Sequence, residues 1–419
     1  MGPVLIFDKS ALQALNLDEA VWLNNFYLSN ITPLFYVETL ADLEKEVKAG
    51  KTPEQVVGEI ARKTPMTGSH PNAHHLQLAL SDLLGQPIDV SGRPIVPGGV
   101  PVSLPDGNGV VFRPSPEALA FARWQEGRFI EVEREYAKRW RAGLAELDLG
   151  SVYALYRRMF QDKGRVPKDL AEARRLAEEL LDDPARQEGA VQFACEALGL
   201  PESLQKKIRA RWERLRRPPL AGLAPYARHV LLIDVFFCVA LGADLISRER
   251  PSNKVDVSYL SYLPFCKVFV SSDNLHKRVV PVFLGPDQTF VGGSELKEDL
   301  AKLDLHYSGL PAEVRERGVI SFAPFPPEED TFLTTRLWDK YLPKWRESMH
   351  ARPKPEAKER VMARINEAWD KANRGEAADQ APAEHDFLLI ERRVRLRMGK
   401  WRLLPPEAER YGMRAEEQP

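Results

Sequence analysis

The sequence predicts an α/β fold carrying a large, mainly α-helical insertion and a small C-terminal β appendage. Three observations lead there. Short β-rich apolar runs, VLIF at 4–7 and KVFV at 267–270, lie near the two ends of the first 310 residues, and an acid follows each closely. Residues 117–249 read almost wholly as helix, in stretches such as DLAEARRLAEELL and SLQKKIRARWERLRR. The stretch HDFLLIERRVRLRMGKWRLLP reads as two strands around Met398 and Gly399.

Taken in order, the chain opens with a strand (Pro3 to Phe7), a helix (Lys9 to Leu17) and a second helix (Asp18 to Ser29). A third helix follows, in which Leu34, Val37, Leu40, Leu43 and Val47 recur every three or four residues. Glu38 stands one step off that stripe, with Asp42 one turn later on the same side. From about Thr64 to Pro116 proline and glycine cluster, and PIVPGGVPVSLPDGNG reads as loops or a small hairpin. The run HVLLIDVFFCVALGADLI is interrupted by Asp234 and falls short of the ~20 apolar residues of a membrane span, so it reads as a buried helix. Asp234 there needs a partner, such as Arg228, or a place facing a cleft. Beyond the helical region come a helix bearing Asp256, the KVFV strand, a VVPVFL strand and the SELKEDLAKL helix with Ser294 as N-cap. After Pro343 the text is charged and reads as an exposed helix and a linker. The expected boundaries are 1–50 for the first part of the core, 51–249 for the insertion and 250–345 for the second part. Residues 346–384 form the charged helix and linker, and 385–419 the basic hairpin tail.

Bulk charge names no partner, because 59 Lys and Arg balance 60 Asp and Glu. Any nucleic-acid surface has to be a local patch. Cys195, Cys238 and Cys266 show no paired spacing, which argues against a disulfide framework or a cysteine zinc site. The chain starts with a strand-like run and no signal-peptide pattern, so a cytoplasmic protein with no membrane partner is expected.

Four acids stand out, namely Asp8, Glu38, Asp256 and Asp273. Asp8 and Asp273 follow strands, which predicts carboxylates at strand tips beside solvent. Glu38 and Asp256 lie in helical patterns. Strand-end sites in open α/β sheets collect at one edge, so the four are expected to converge there. Each also has an ordinary reading: Asp8 as the N-cap of KSALQAL, Glu38 as a solvated helix residue. His70, His74 and His75 invite a zinc reading, but Pro71 and the lack of a further spaced ligand favour capping, packing or a place near substrate. Glu131, Glu133 and Glu135 cannot share one helix face and are expected to be mostly solvated.

These residues resemble the PIN-type nucleases. The order is similar: Asp8 ends an early strand with Ser10 two places on, and Glu38 follows on a helix. Asp256 then lies on a later helix, and Ser271, Ser272 and Asp273 follow the next strand. Glu38 and Asp256 are 218 positions apart (256 − 38), far more than a compact PIN domain uses, so the resemblance covers only about residues 3–50 and 250–310. It implies a three-layer core around a central, mostly parallel sheet, and a divalent-metal-dependent endonuclease cutting RNA more than DNA. Products would carry a 5′-phosphate and a 3′-hydroxyl. Asp8 would be the central ligand of Mg²⁺ or Mn²⁺, with Asp256, Asp273 and Glu38 completing the set. Ser10, Ser272 and Asp42 would support from behind. RNA processing, a toxin system or antiphage defence would all suit such an enzyme, alone, as a homo-oligomer or with a regulatory protein partner. The alternative is a non-catalytic nucleic-acid-binding or adaptor protein that keeps the fold. A phosphatase of the haloacid dehalogenase type would need an acid where Ser10 stands.

Two basic runs are candidates for the nucleic-acid surface. Lys206, Lys207 and Arg209 share a predicted helix with Trp212, and Arg393, Arg395 and Arg397 alternate along a predicted strand near Lys400. A solvated helix face, or a hairpin that is solvated or bound to a partner, reads the same way.

Overall fold

A computed structural model describes residues 2–41, 50–104, 107–114, 116–128, 146–350, 355–376, 387–390 and 394–406, together with 130, 133, 135 and 139. Ten strands occur among them in chain order. They are β1 (Val4–Phe7), β2 (Leu28–Ile31), β3 (Ser69–Pro71), β4 (Gly99–Leu104), β5 (Gly107–Phe112), β6 (Val268–Ser271), β7 (Thr289–Gly292), β8 (Phe387–Ile390), β9 (Arg397–Met398) and β10 (Trp401–Arg402).

The central sheet is parallel throughout, with order β3-β2-β1-β6-β7. β1 takes the middle because VLIF is apolar at every position and can be covered on both faces. Its residues alternate as the pleat requires: Val4 and Ile6 join one core, Leu5 and Phe7 the other. The helices Lys9–Ala14 and Leu17–Phe26, between β1 and β2, belong to the second core, while Asn274–Phe283, between β6 and β7, packs into the first. Right-handed crossovers leaving the centre in opposite directions put their helices on opposite faces. The strand order therefore reverses between β1 and β6, and the carboxyl edge of such a switch point is where open α/β sheets bind ligands.

The helices from Leu149–Lys163 to Pro225–Gly242 share one continuous apolar core with Ile6 and Phe269. They thicken one layer of the three-layer core, where the sequence reading had a helical module of its own. Pro225–Gly242 is long and apolar enough to cross a membrane, and 72% of it is buried inside the protein, as expected of a core helix. A smaller sheet, β4-β5-β8, packs on the Pro355–Arg374 helix through Val102, Val111, Ala368 and Ala372. The hairpin expected near Pro101 is thus present as β4 and β5.

Several expectations change. β3 pairs with β2, so the core sheet draws a strand from inside the 51–249 segment. The first helix stops at Ala14, and the second stops at Phe26 to release β2. VVPVFL is the end of the Asn274–Phe283 helix rather than a strand, because His276, Val279, Val280 and Phe283 recur at helical spacing on its buried side. Gly292, not Ser294, is the N-cap of the Gly293–Ser308 helix. The hairpin expected around Met398 and Gly399 is present as antiparallel β9 and β10, and it is tied into the molecule: β8 joins β5, and Met398, Trp401, Leu403 and Leu404 enter the second core.

Candidate active site

β1 delivers Asp8 directly to this edge of the sheet. Asp8 adopts extended backbone angles and caps the Lys9–Ala14 helix, its Oδ1 accepting the Ala11 N–H at 2.9 Å. The Ser10 hydroxyl lies 2.8 and 2.9 Å from the two carboxylate oxygens. From β6, Ser271 donates its hydroxyl to Oδ2 at 2.6 Å. His276 Nδ1 stands 3.1 Å from the same oxygen. Asp8 is 2% exposed, which replaces the expected solvent-side acid with a buried one satisfied by four protein groups.

The other ring nitrogen of His276, Nε2, lies 2.8 Å from the Asp256 carbonyl oxygen. Nδ1 also lies 2.9 Å from Ser271 Oγ, and the doubly protonated ring is the form that donates to both Asp8 and the Asp256 carbonyl. Burial works against that charge. The hydrogen bond and charge of Asp8, followed by the Asp256 carbonyl and carboxylate, outweigh it and hold His276 at about 9. Burial likewise opposes ionisation of Asp8, yet His276, Ser271 and the Ala11 N–H keep its carboxyl below the usual range.

Glu38 is carried by the Pro33–Ala41 helix and is half-buried. Its Oε2 accepts the Tyr259 hydroxyl at 2.8 Å and the Lys9 N–H at 3.4 Å. Burial is the main cause that pushes its carboxyl up to about 8, with the negative charge of Asp8 next; the Tyr259 bond pulls it down, and Asp256 adds a further upward push. Asp256, half-buried on the Asn253–Ser258 helix, therefore acts on both Glu38 and His276. Glu38 thus lies within electrostatic range of both Asp8 and Asp256.

Asp273 is used differently. Its Oδ1 accepts the N–H groups of Leu275 at 2.6 Å and His276 at 3.3 Å, capping the helix that carries His276 into the site. Its own N–H donates to Ser271 Oγ at 2.9 Å, and the Ser272 N–H donates to Ser10 Oγ at 3.2 Å. A Cβ on Gly293 would fall 2.0 Å from Ser272 Oγ, so glycine there lets the end of β7 approach this loop. Among the described residues no three His, Cys, Asp or Glu side chains are grouped so that they could hold a metal ion. Asp42 lies outside the described residues.

The acid pattern of the sequence does not include His276, Tyr259 or Lys9, the last of which is 2% exposed. SSDNLH did carry a signal: His276 stands one turn beyond a capping Asp, where a helical side chain leans back toward the strand end.

The basic candidates are mostly paired. On the Glu202–Arg214 helix, Lys206 meets Glu202 at 2.8 Å and Arg209 meets Glu188 at 2.9 Å, while Lys207 is exposed. Trp212 is 4% exposed and donates to the Pro218 carbonyl, so it offers no stacking face. In the tail, Arg395 donates to the Gln125 carbonyl at 2.8 Å, Arg397 pairs with Glu316, and Lys400 pairs with Asp304. The expected alternation along one strand does not form, because Arg395 precedes β9; Arg393 lies outside the described residues. Asp234 pairs with Lys254, and Arg228 with Asp182 instead. Glu133 is buried against Trp124 Nε1 and Arg123, contrary to the solvated reading. His75 is buried on the Tyr262 hydroxyl at 3.1 Å, and burial pushes it down to about 3; His74 caps the helix beginning there.

Fold and site together define a doubly wound α/β protein with acidic side chains at the switch point of its sheet. Comparison with protein-family models, with curated proteins and with solved structures finds no match for the chain.

Proposed function

We propose that this protein is a divalent-metal-dependent endonuclease of PIN type, hydrolysing RNA more readily than DNA. The observation that carries the reading is geometric: the N–H of Lys9, next to Asp8, donates to Glu38, and His276 bridges Asp8 and the Asp256 carbonyl, at the switch point where open α/β sheets bind ligands. Glu38 adds support, since an acid raised partly by acidic neighbours is one whose ionised form a cation would stabilise.

The residues suit Mg²⁺ or Mn²⁺ in a particular way. The oxygens of Asp8 are already engaged by Ser10, Ala11, Ser271 and His276, and Asp273 caps its helix. Glu38 and Asp256 would then hold the ion, and Asp8 would contribute charge. Two carboxylates suffice for Mg²⁺, which keeps several waters and takes further oxygens from phosphate. The bound ion would screen the phosphate, lower the pKa of a water and steady the leaving oxygen. The chain's own work is positional. Tyr259 orients Glu38, and His276 ties Asp8 to the Asp256 backbone. Hydrolysis forms one P–O bond to water and breaks the bond to the 3′ oxygen, which takes up the proton.

The test is cleavage of labelled single-stranded RNA and DNA with Mg²⁺, Mn²⁺ or chelator, comparing wild type with Glu38→Gln and Asp256→Asn. Metal-dependent cutting that drops at least a hundredfold in both variants is expected. One specific observation favours a second reading, a non-catalytic nucleic-acid-binding or adaptor protein: Asp8 and His276 satisfy each other as a buried structural pair. Nucleic-acid binding without cutting in either metal would select it.

A further inference from the structure

The carboxyl edge holds a second concavity that the acids do not use. It is a cavity of about 120 Å³ beside the ends of β2 and β3, at Ile31 and Pro71. A single water needs roughly 10–15 Å³ on this measure, so the space admits a ligand of several heavy atoms. Tyr36, Met66 and Phe121 line it. The Tyr36 ring stacks on Trp124 at 5.1 Å and meets Phe121 edge-on at 6.0 Å, so the aromatic lining is held in place before any ligand arrives. Two charged side chains complete it, exposed Arg113 and half-buried Glu117, at the start of the Pro116–Gln125 helix.

We infer that this cavity binds one nucleotide, with its base against the half-buried Tyr36, over a floor of buried Met66 and Phe121, and its phosphate on Arg113. An apolar, partly aromatic lining suits the flat face of a base. A bare phosphate would leave those residues unused, and an aliphatic ligand would leave Arg113 and Glu117 unused. A nucleotide matches both, and its ribose hydroxyls can donate to Glu117. Arg113 reaches the Asn373 side-chain oxygen at 3.4 Å with one N–H and carries five such donors in all. Tyr36 and Glu38 are two residues apart on one helix and so point to different sides of it. The cavity is therefore separate from the acids, and the assignment does not rest on the nuclease reading.

The experiment is calorimetric titration of the full-length protein with AMP, GMP, UMP, adenosine and inorganic phosphate. At least one nucleotide is expected to saturate the site, with adenosine and phosphate about tenfold weaker or more. Arg113→Gln should weaken the nucleotide about tenfold and leave adenosine unchanged. Ala122→Trp, which fills the cavity, should abolish nucleotide binding without moving the thermal midpoint; Leu119→Trp serves if that variant unfolds early. Failure of all three nucleotides to saturate at millimolar concentration overturns the inference, as does binding that survives a folded cavity-filling variant.

Discussion

Asp8 and His276 have side chains 3% and 1% exposed, and that near-exclusion of water governs what their substitution should do. His276→Ala leaves a carboxylate buried without its imidazolium, which should destabilise the fold by about 3–5 kcal/mol in urea unfolding. The double variant Asp8→Leu with His276→Leu should recover part of that loss, because it removes both charges at once. The same residues set a pH profile. His276 is raised from 6.5 to about 9, so its contribution is full below pH 6.5 and fades as pH rises to 9. Glu38 is raised from 4.5 to about 8, so its protonated form favours folding most below pH 4.5, and that advantage fades as pH rises through 8. Both act in the same direction, so the thermal midpoint should fall from pH 4.5 to 9, most steeply between pH 6.5 and 8 where the two windows overlap. Glu38→Gln should flatten part of that fall; an unchanged profile would remove Glu38 as a cause.

At the level of elements, close backbone contacts make sharper predictions than propensity does. A Cβ on Gly68 would lie 2.0 Å from the Asn24 carbonyl oxygen, and the Gly68 carbonyl accepts the Ser29 N–H at 2.6 Å. Gly68→Ala should push β3 off β2 and lower stability by roughly 1–3 kcal/mol, read as a lower thermal midpoint. These strands also show where sequence reading stops. VLIF and KVFV are legible because both faces are buried and every residue is apolar. LSNI and TFVG are half polar and belong to the sheet only because a neighbouring strand completes them. VVPVFL misleads because its β-branched composition suits a strand, while the Asp273 cap and the buried helical stripe decide otherwise. In the site, acids near strand ends are visible as a pattern. The Asp8–His276 contact is not, since it joins residues 268 positions apart and depends on the register of β1 with β6.

Across the whole molecule, the C-terminal tail acts as part of the core. Trp401 is 1% exposed, donates to Asp304 at 2.7 Å and meets Trp22 edge-on at 4.8 Å. Trp401→Ala should therefore destabilise the protein by about 3–5 kcal/mol, and a chain ending at residue 384 should show exposed apolar surface by dye binding. A truncated chain as stable as the full one would show that this packing is dispensable. The arrangement of the sheet bears also on how the protein is made. Ser271 and Asp8 touch across 263 positions of sequence, so the central strand gains its β6 neighbour only after most of the chain has been synthesised. At roughly 5–20 residues per second, that leaves the apolar edge of VLIF without this partner for on the order of 13–50 s on the ribosome. A nascent chain in that state is a natural client for chaperones that shield unpaired strands, and its yield should depend on them more than its final stability does.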